Sequence, residues 1–249
     1  MESYLPPLAH SFANKHICLT GGTDGIGLEL AKMLAQSGAK ILIIGRRAKV
    51  AVTLPEGCFY HQADLSQAES PAQIAAHLHT IGWEKLDHLI HNAGVGYVGD
   101  IDAQQPENIE TIIEANLKSP LALSQLLFPL LERAKGNVCF VGSTVKGRAT
   151  PQFAVYTATK TGMADLARNL ATEWNGRINV QEVHPGPTRT HFHAKAGFDN
   201  PPMISLFMTP QEVAKGIYAS LKSGKRTRSY SMPSLLFHAI KRKFERQSA

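Results

Sequence analysis

The chain has 249 residues, of which 43% are hydrophobic and 18% charged, ordinary values for a globular protein with a full apolar core. No repeat, low-complexity tract or apolar run near the ~20 residues of a membrane-spanning helix is present in the sequence, and residues 1–16 lack the basic start and apolar core of a secretory signal. Three widely spaced cysteines, Cys18, Cys58 and Cys139, read as reduced core residues, so a cytoplasmic protein is expected. The formal net charge of +6 is concentrated at the C-terminal end: from Lys222 onward eight Lys/Arg stand against one Glu, and the remainder is nearly neutral.

Strand-like and helix-like patterns alternate along the chain. Residues 15–20 read as a strand and 25–38 as a helix closing at Gly38. The run 39–45 is apolar on both faces, as a buried parallel strand should be, and 58–64 is a weaker third strand. Ser70-Pro71 opens a helix to about Ile81, with proline where a missing N–H costs little. A fourth strand spans 86–94, a long helix 106–133 and a fifth strand 137–143. Another long helix covers 154–175 and a sixth strand 177–186. Thr209 and Glu212 form a capping-box pattern that opens a helix to about Leu221. Repeated units of this kind predict a doubly wound parallel sheet in a single Rossmann-type α/β domain, followed by a basic tail helix. Ligands of such sheets bind at the carboxyl ends of the strands, where the strand order switches.

Between the first strand and first helix stand Thr20-Gly21-Gly22-Thr23-Asp24-Gly25-Ile26-Gly27. Small residues there let the backbone approach a pyrophosphate, and the helix N-terminus supplies N–H donors. Binders of NAD place an acid after the second strand for the ribose 2′-hydroxyl. This chain has Gly45-Arg46-Arg47, and an arginine can pair instead with a 2′-phosphate. NADP(H) is therefore expected in preference to NAD(H), with Arg46 reading the difference; Asp24, beside that pocket, points the other way.

Tyr156 and Lys160 lie four apart on a predicted helix, hence on one face. A free phenol titrates near 10, too high for acid–base work at neutral pH. An adjacent ammonium, together with the positively charged nicotinamide ring of an oxidised cofactor, is expected to favour the phenolate and lower that value. Ser143 ends the fifth strand on the ligand-binding edge, where its hydroxyl can hold a substrate oxygen.

With these motifs in register, nearly the whole chain resembles the short-chain dehydrogenase/reductase family. Its cofactor motif matches Thr20-Gly21, Gly25, Ile26 and Gly27, and its acidic–apolar pair after the third strand matches Asp64-Leu65. Its Asn-Ala-Gly is Asn92-Ala93-Gly94, its helix asparagine Asn116, and its Pro-Gly turn Pro185-Gly186, with Thr188 and Thr190 where members hold the nicotinamide amide. The resemblance implies that Tyr156 is the general acid or base and that Lys160 lowers its pKa and binds the nicotinamide ribose. It further implies that Ser143 orients the substrate oxygen and that Asn116 holds a water linking Lys160 to solvent. It also implies a homodimer or homotetramer built on helices 106–133 and 154–175. Two departures stand out: the link from Gly45 to Asp64 leaves room for only a turn or so of helix, and Thr157-Ala158-Thr159 fills the Tyr–Lys spacing.

Together these features predict hydride transfer between NADP(H) and the carbonyl or secondary alcohol of a small or lipid-like apolar substrate. The alternative is a cofactor-binding regulator or scaffold of the same fold without turnover. No metal site is expected: His191 and His193, with His184 nearby, lack a Cys, Asp or Glu close in sequence. Residues 191–209, with Met203, Ile204, Leu206, Phe207 and Met208, read either as a lid over an apolar substrate or as a surface loop. Gln152 and Phe153 are candidates to face the substrate. In the tail 233–246, Leu236, Ile240 and Phe244 are spaced by four beside Lys241, Arg242 and Lys243. Such a helix can pack on its own domain or a partner subunit, the favoured reading, or lie on an anionic membrane as a peripheral contact. Nucleic-acid binding is not expected.

Overall fold

The computed structural model describes residues 11–49, 53–198 and 204–230. Their centre is a seven-stranded sheet in the order β3-β2-β1-β4-β5-β6-β7, parallel at every pairing. The strands are β1 His16–Thr20, β2 Lys40–Gly45, β3 Cys58–Gln62, β4 His88–His91, β5 Asn137–Val141, β6 Asn179–Pro185 and β7 Thr227–Tyr230. The main helices are α1 Gly25–Gln36, α2 Ser70–Thr80, α3 Pro106–Ile113, α4 Ser119–Ala134, α5 Ala154–Glu173, the short α6 Phe192–Lys195, and α7 Pro210–Ser223. This is the doubly wound, Rossmann-type arrangement expected from the sequence. The order reverses between β1 and β4, which places the switch point there.

Alternation along β2 builds both layers of the core, because successive side chains of a strand point to opposite faces. Leu42 and Ile44 pack with Leu89, Phe140, Leu127, Met163 and Trp174 on the side of α4 and α5. Ile41 and Ile43 pack with Ile17, Leu30, Leu34, Val213 and Ile217 on the side of α1 and α7. The α7 cap forms as read: the Thr209 hydroxyl accepts from Glu212 N–H, and Glu212 accepts from Thr209 N–H at 2.8 Å.

Two features differ from the sequence reading. The helix read as 106–133 is interrupted by a π-helical turn, Glu114–Lys118, between α3 and α4. Pro120 has no N–H to offer the Asn116 carbonyl four residues back, and Ser119 N–H reaches Glu114 O, five residues back. The link between β2 and β3 carries a 3-10 residue at Lys49 and no helix over 53–57; the segment between them, where the sequence leaves room for a turn or so of helix, lies outside the described residues. A seventh strand was missed because Thr227, Arg228 and Ser229 carry no apolar alternation; only Tyr230 is buried. The expected tail helix, 233–246, lies outside the described residues. Among the described residues, no helix is long and apolar enough to cross a membrane.

Asp87 anchors the amino ends of β1 and β4. Its buried carboxylate accepts from Lys15 Nζ at 2.7 Å and from His16 N–H at 2.9 Å. Burial alone would raise its pKa, but these hydrogen bonds hold it below the usual carboxylate range. Its stabilisation is therefore complete above the unfolded-state pKa and is lost as pH falls through the lower folded value. Asp87→Ala should cost about 1–3 kcal/mol in urea unfolding at neutral pH, with the difference from wild type shrinking in acid.

Candidate active site

The site begins where β1 and β4 end. Buried Thr20 donates from its hydroxyl to Ile90 O (3.3 Å) and accepts from the N–H groups of Asn92 and Ala93 (both 3.1 Å). The Asn92 amide donates to the carbonyls of Thr20 (3.1 Å) and Gly21 (3.0 Å). The glycine turn is thus sewn to the end of β4 before any ligand arrives. A β-carbon on Gly27 would sit 2.2 Å from Gly21 O and 2.5 Å from the Asn92 amide nitrogen, so only glycine lets α1 press against the turn. Gly25, at φ +53°, opens the helix. Asp24 caps it, accepting from Gly25 N–H at 2.7 Å. Burial acts to raise the Asp24 pKa, but contacts from Lys195 (2.8 Å) and His191 (3.1 Å) on the far wall bring it down to about 2.

A cleft of about 550 Å³ runs along these strand ends. At one end it is lined by Gly21, Thr23, Gly25, Ile26, Gly27, Arg46, Asp64 and Leu65. The turn carrying Arg46 and Arg47 is held from β3. The Tyr60 hydroxyl lies 2.9 Å from Gly45 O and 2.6 Å from Arg47 O, and Gln62 donates to Arg46 O at 3.3 Å. The Arg47 guanidinium donates to Thr23 O, while Arg46 remains exposed at the cleft mouth. Asp64 holds its own loop, accepting from Ser66 N–H (3.0 Å) and hydroxyl (2.9 Å).

At the other end lie Ser143, Tyr156 and Lys160, with Asn92, Ala93, Gly94, Pro185, Gly186, Thr188 and Thr190 also on the wall. Ser143 follows β5, and one turn of α5 separates Tyr156 from Lys160. Lys160 is 3% exposed; its ammonium donates to Val141 O at 3.1 Å and sits 5.7 Å from the Tyr156 ring centroid. Burial lowers its pKa to about 8. Burial likewise pushes the Tyr156 phenol up to about 12, with a hydrogen bond from Ser143 acting to lower it. Desolvation is the larger influence, and the lowering expected from the sequence rests on a cationic nicotinamide beside the phenol as well as on the ammonium. A cationic group in the cleft would oppose that desolvation.

Asn116 is fully buried in the π turn. Its side chain brackets Val95, accepting from the N–H and donating to the carbonyl, each at 2.8 Å, and also donates to Thr159 at 3.2 Å. Thr20 and Asn116 therefore stand behind the cleft wall, whereas the other sequence-selected residues line it. Phe153 lines it too; Gln152 does not, and its carbonyl accepts from Gly99 N–H at 3.0 Å. Of the aromatic wall, sequence reasoning named Phe153, His193 and Phe207 but missed Phe192, Tyr97 and Phe198. Phe192 packs on Tyr156 with ring centroids 5.3 Å apart and His193 on Phe207 at 5.3 Å, with Tyr97 and Phe198 beside them. The available signal was Phe192 itself, between two histidines that drew attention to metal chemistry. Among the described residues, no group of three or more His, Cys, Asp or Glu is placed to hold a metal.

The donor set fits a dinucleotide: a glycine cradle at a helix N-terminus, an arginine rather than an acid after β2, and polar groups converging at the far end. Fold and cleft together define a dinucleotide-binding oxidoreductase architecture. The chain belongs to the short-chain dehydrogenase family, whose model matches residues 15–200. It is 30% identical over 192 residues to an uncharacterised oxidoreductase, YciK, of Escherichia coli, covering 72% of this chain and 76% of that protein. It is 31% identical over 193 residues to human dehydrogenase/reductase SDR family member 4, covering 72% and 68% respectively. Among solved structures, a short chain dehydrogenase from Shigella flexneri complexed with NADP superposes with a TM-score of 0.78 at 27% identity, covering 88% of this chain and 98% of that one.

Gly27→Ala should destabilise the protein by about 1–3 kcal/mol in urea unfolding, because the added methyl meets backbone rather than a side chain that can swing away.

Proposed function

We propose that the protein exchanges a hydride between NADP(H) and the carbonyl or secondary alcohol of a small or lipid-like apolar substrate. The carrying observation is the convergence of Ser143, Tyr156 and Lys160 at the end of the cleft beside an aromatic wall. The preference for NADP(H) rests on Arg46 at the mouth and on the absence of an acid after β2. Relatives crystallised with NADP or NADPH support it.

The nicotinamide, when bound, supplies or accepts the hydride. Tyr156 gives its proton to the substrate oxygen in reduction and takes it back in oxidation. Ser143 holds that oxygen by a hydrogen bond. Lys160 stabilises the phenolate and holds the ribose hydroxyls. Asn116, whose backbone carbonyl lacks its α-helical donor, holds a water that connects Lys160 to solvent. Thr188 and Thr190, on the cleft wall, would hold the nicotinamide amide. Phe192, packed on Tyr156, and Phe207 cover the substrate end of the cleft. Exposed Leu121 and Leu126 on α4 suit helix packing between subunits of a homodimer or homotetramer.

Tyr156→Phe and Lys160→Ala should each lower kcat about 10²–10⁴-fold on a carbonyl identified from a screen with NADPH, with circular dichroism unchanged. Retained turnover would overturn the roles, and cofactor binding with no turnover by wild type would favour the regulator reading. Because the phenol is raised, kcat/KM for alcohol oxidation should climb with pH through the neutral range, while reduction falls only in alkali. Arg46→Asp should weaken NADPH binding at least about tenfold more than NADH binding in fluorescence titration; equal losses would sink the NADP preference.

A further inference from the structure

Beneath the Ser143 turn lies a cluster of charges that the reaction above does not use. Glu182 and His184 project from one face of β6, with side chains 5% and 1% exposed. Lys146, three residues after Ser143, reaches down to them. Its ammonium donates to Glu182 Oε1 at 3.0 Å and lies 2.6 Å from His184 Nε2, itself 2.8 Å from the same carboxylate oxygen. Burial acts to raise the Glu182 pKa, yet contacts from His184 and Lys146 hold it below the usual range. Glu182 is buried while the Lys146 side chain is 30% exposed, and a pair so placed offsets little more than the cost of taking its carboxylate out of water. Stability alone does not account for these residues.

Their placement does. The segment joining β5 to α5 is fixed at several points: Gly142 N–H to Val183 O (2.8 Å), Thr144 N–H to Pro185 O (3.0 Å) and Gly147 N–H to the Thr161 hydroxyl (2.9 Å). Within it, the Ser143 hydroxyl accepts from Val145 N–H at 3.3 Å. The tilt of this turn therefore sets the direction in which the Ser143 hydroxyl points. His184 wedges the turn from below, since a β-carbon on Gly142 would lie 2.6 Å from its Nδ1. Lys146 ties the turn down from its far side.

We propose that Lys146, Glu182 and His184 are positioning residues that set the Ser143 hydroxyl against the Tyr156 phenol, with Lys146 as the tether. The inference rests on the oxidoreductase reading of this site. A displacement of the serine by an ångström would act on turnover rather than on cofactor binding, because misplacement at the reacting centre is paid in rate.

The test compares steady-state kinetics of purified full-length variants with NADPH and a carbonyl substrate turned over by wild type. Lys146→Met should lower kcat about tenfold, up to the ~10²-fold cost of an ångström's misplacement, and leave the Kd for NADPH unchanged. Lys146→Arg should recover most of the loss. Lys146→Met/Glu182→Leu, which removes both members of the pair and so leaves no unpaired buried carboxylate, should keep Tm near wild type while kcat stays low. In a Ser143→Ala background, Lys146→Met should add nothing. Wild-type kcat in Lys146→Met, full recovery in the double variant, or an equal loss in the Ser143→Ala background would each overturn the proposal. If wild type turns over no carbonyl of the panel, the functional reading fails separately. The tether is then judged by hydrogen exchange: amides of Thr144, Val145 and Gly147 should lose protection at least tenfold in Lys146→Met, and unchanged protection overturns it.

Discussion

Thr20 and Asn92 hold together the two strand ends from which the chain departs in opposite directions. A parallel sheet that switches order leaves a crevice at that point, with backbone groups that have no ladder partner. Here one hydroxyl and one amide satisfy them: Thr20 accepts two N–H groups from the end of β4, and Asn92 donates twice into the glycine turn. Both side chains are spent on the protein itself. What remains facing the cleft is the bare backbone of Gly21 and the N-terminus of α1, which is why the crevice can take an anionic ligand without rearranging its floor.

The far end of the cleft follows the same logic with costlier groups. Lys160 is buried with a backbone carbonyl for company, and burial pushes the Tyr156 phenol up to about 12. Both groups are thus held away from their solution behaviour by desolvation, the arrangement that makes a site responsive to a charged occupant. The π turn contributes in a related way. Pro120 removes a helical donor, Asn116 is carried inward, and its amide is spent on Val95, so that rigidity is obtained from a break in the helical ladder.

Much of this was legible in the sequence. The strand–turn–helix placement of Gly21 to Gly27, the four-residue step from Tyr156 to Lys160, and the position of Ser143 at a strand end are short-range patterns, and the structure brings all of them to one cleft. What escaped was set by distant contacts. The strand at Thr227–Tyr230 has no alternation of its own and is defined by pairing with β6. Thr20 and Asn116 read as wall residues, yet each is turned to the backbone behind it by a partner remote in sequence. The shortness of the link after β2 was visible in the sequence; the hydrogen bonds from Tyr60 and Gln62 that hold its turn were not.

The seam between β1 and β4 has a kinetic side. Its hydrogen bonds join residues about seventy positions apart, such as Thr20 and Asn92, and an all-parallel sheet offers no hairpin to close any of its pairs locally. Loop-closure entropy must be met before such contacts contribute, so folding of this topology is slow relative to a helical bundle of equal size. The floor of the cleft cannot form from the first ninety residues alone. It comes into being only when the chain through Asn92 and Ala93 returns to the end of β1, which makes the cleft a product of the global transition rather than of any local segment.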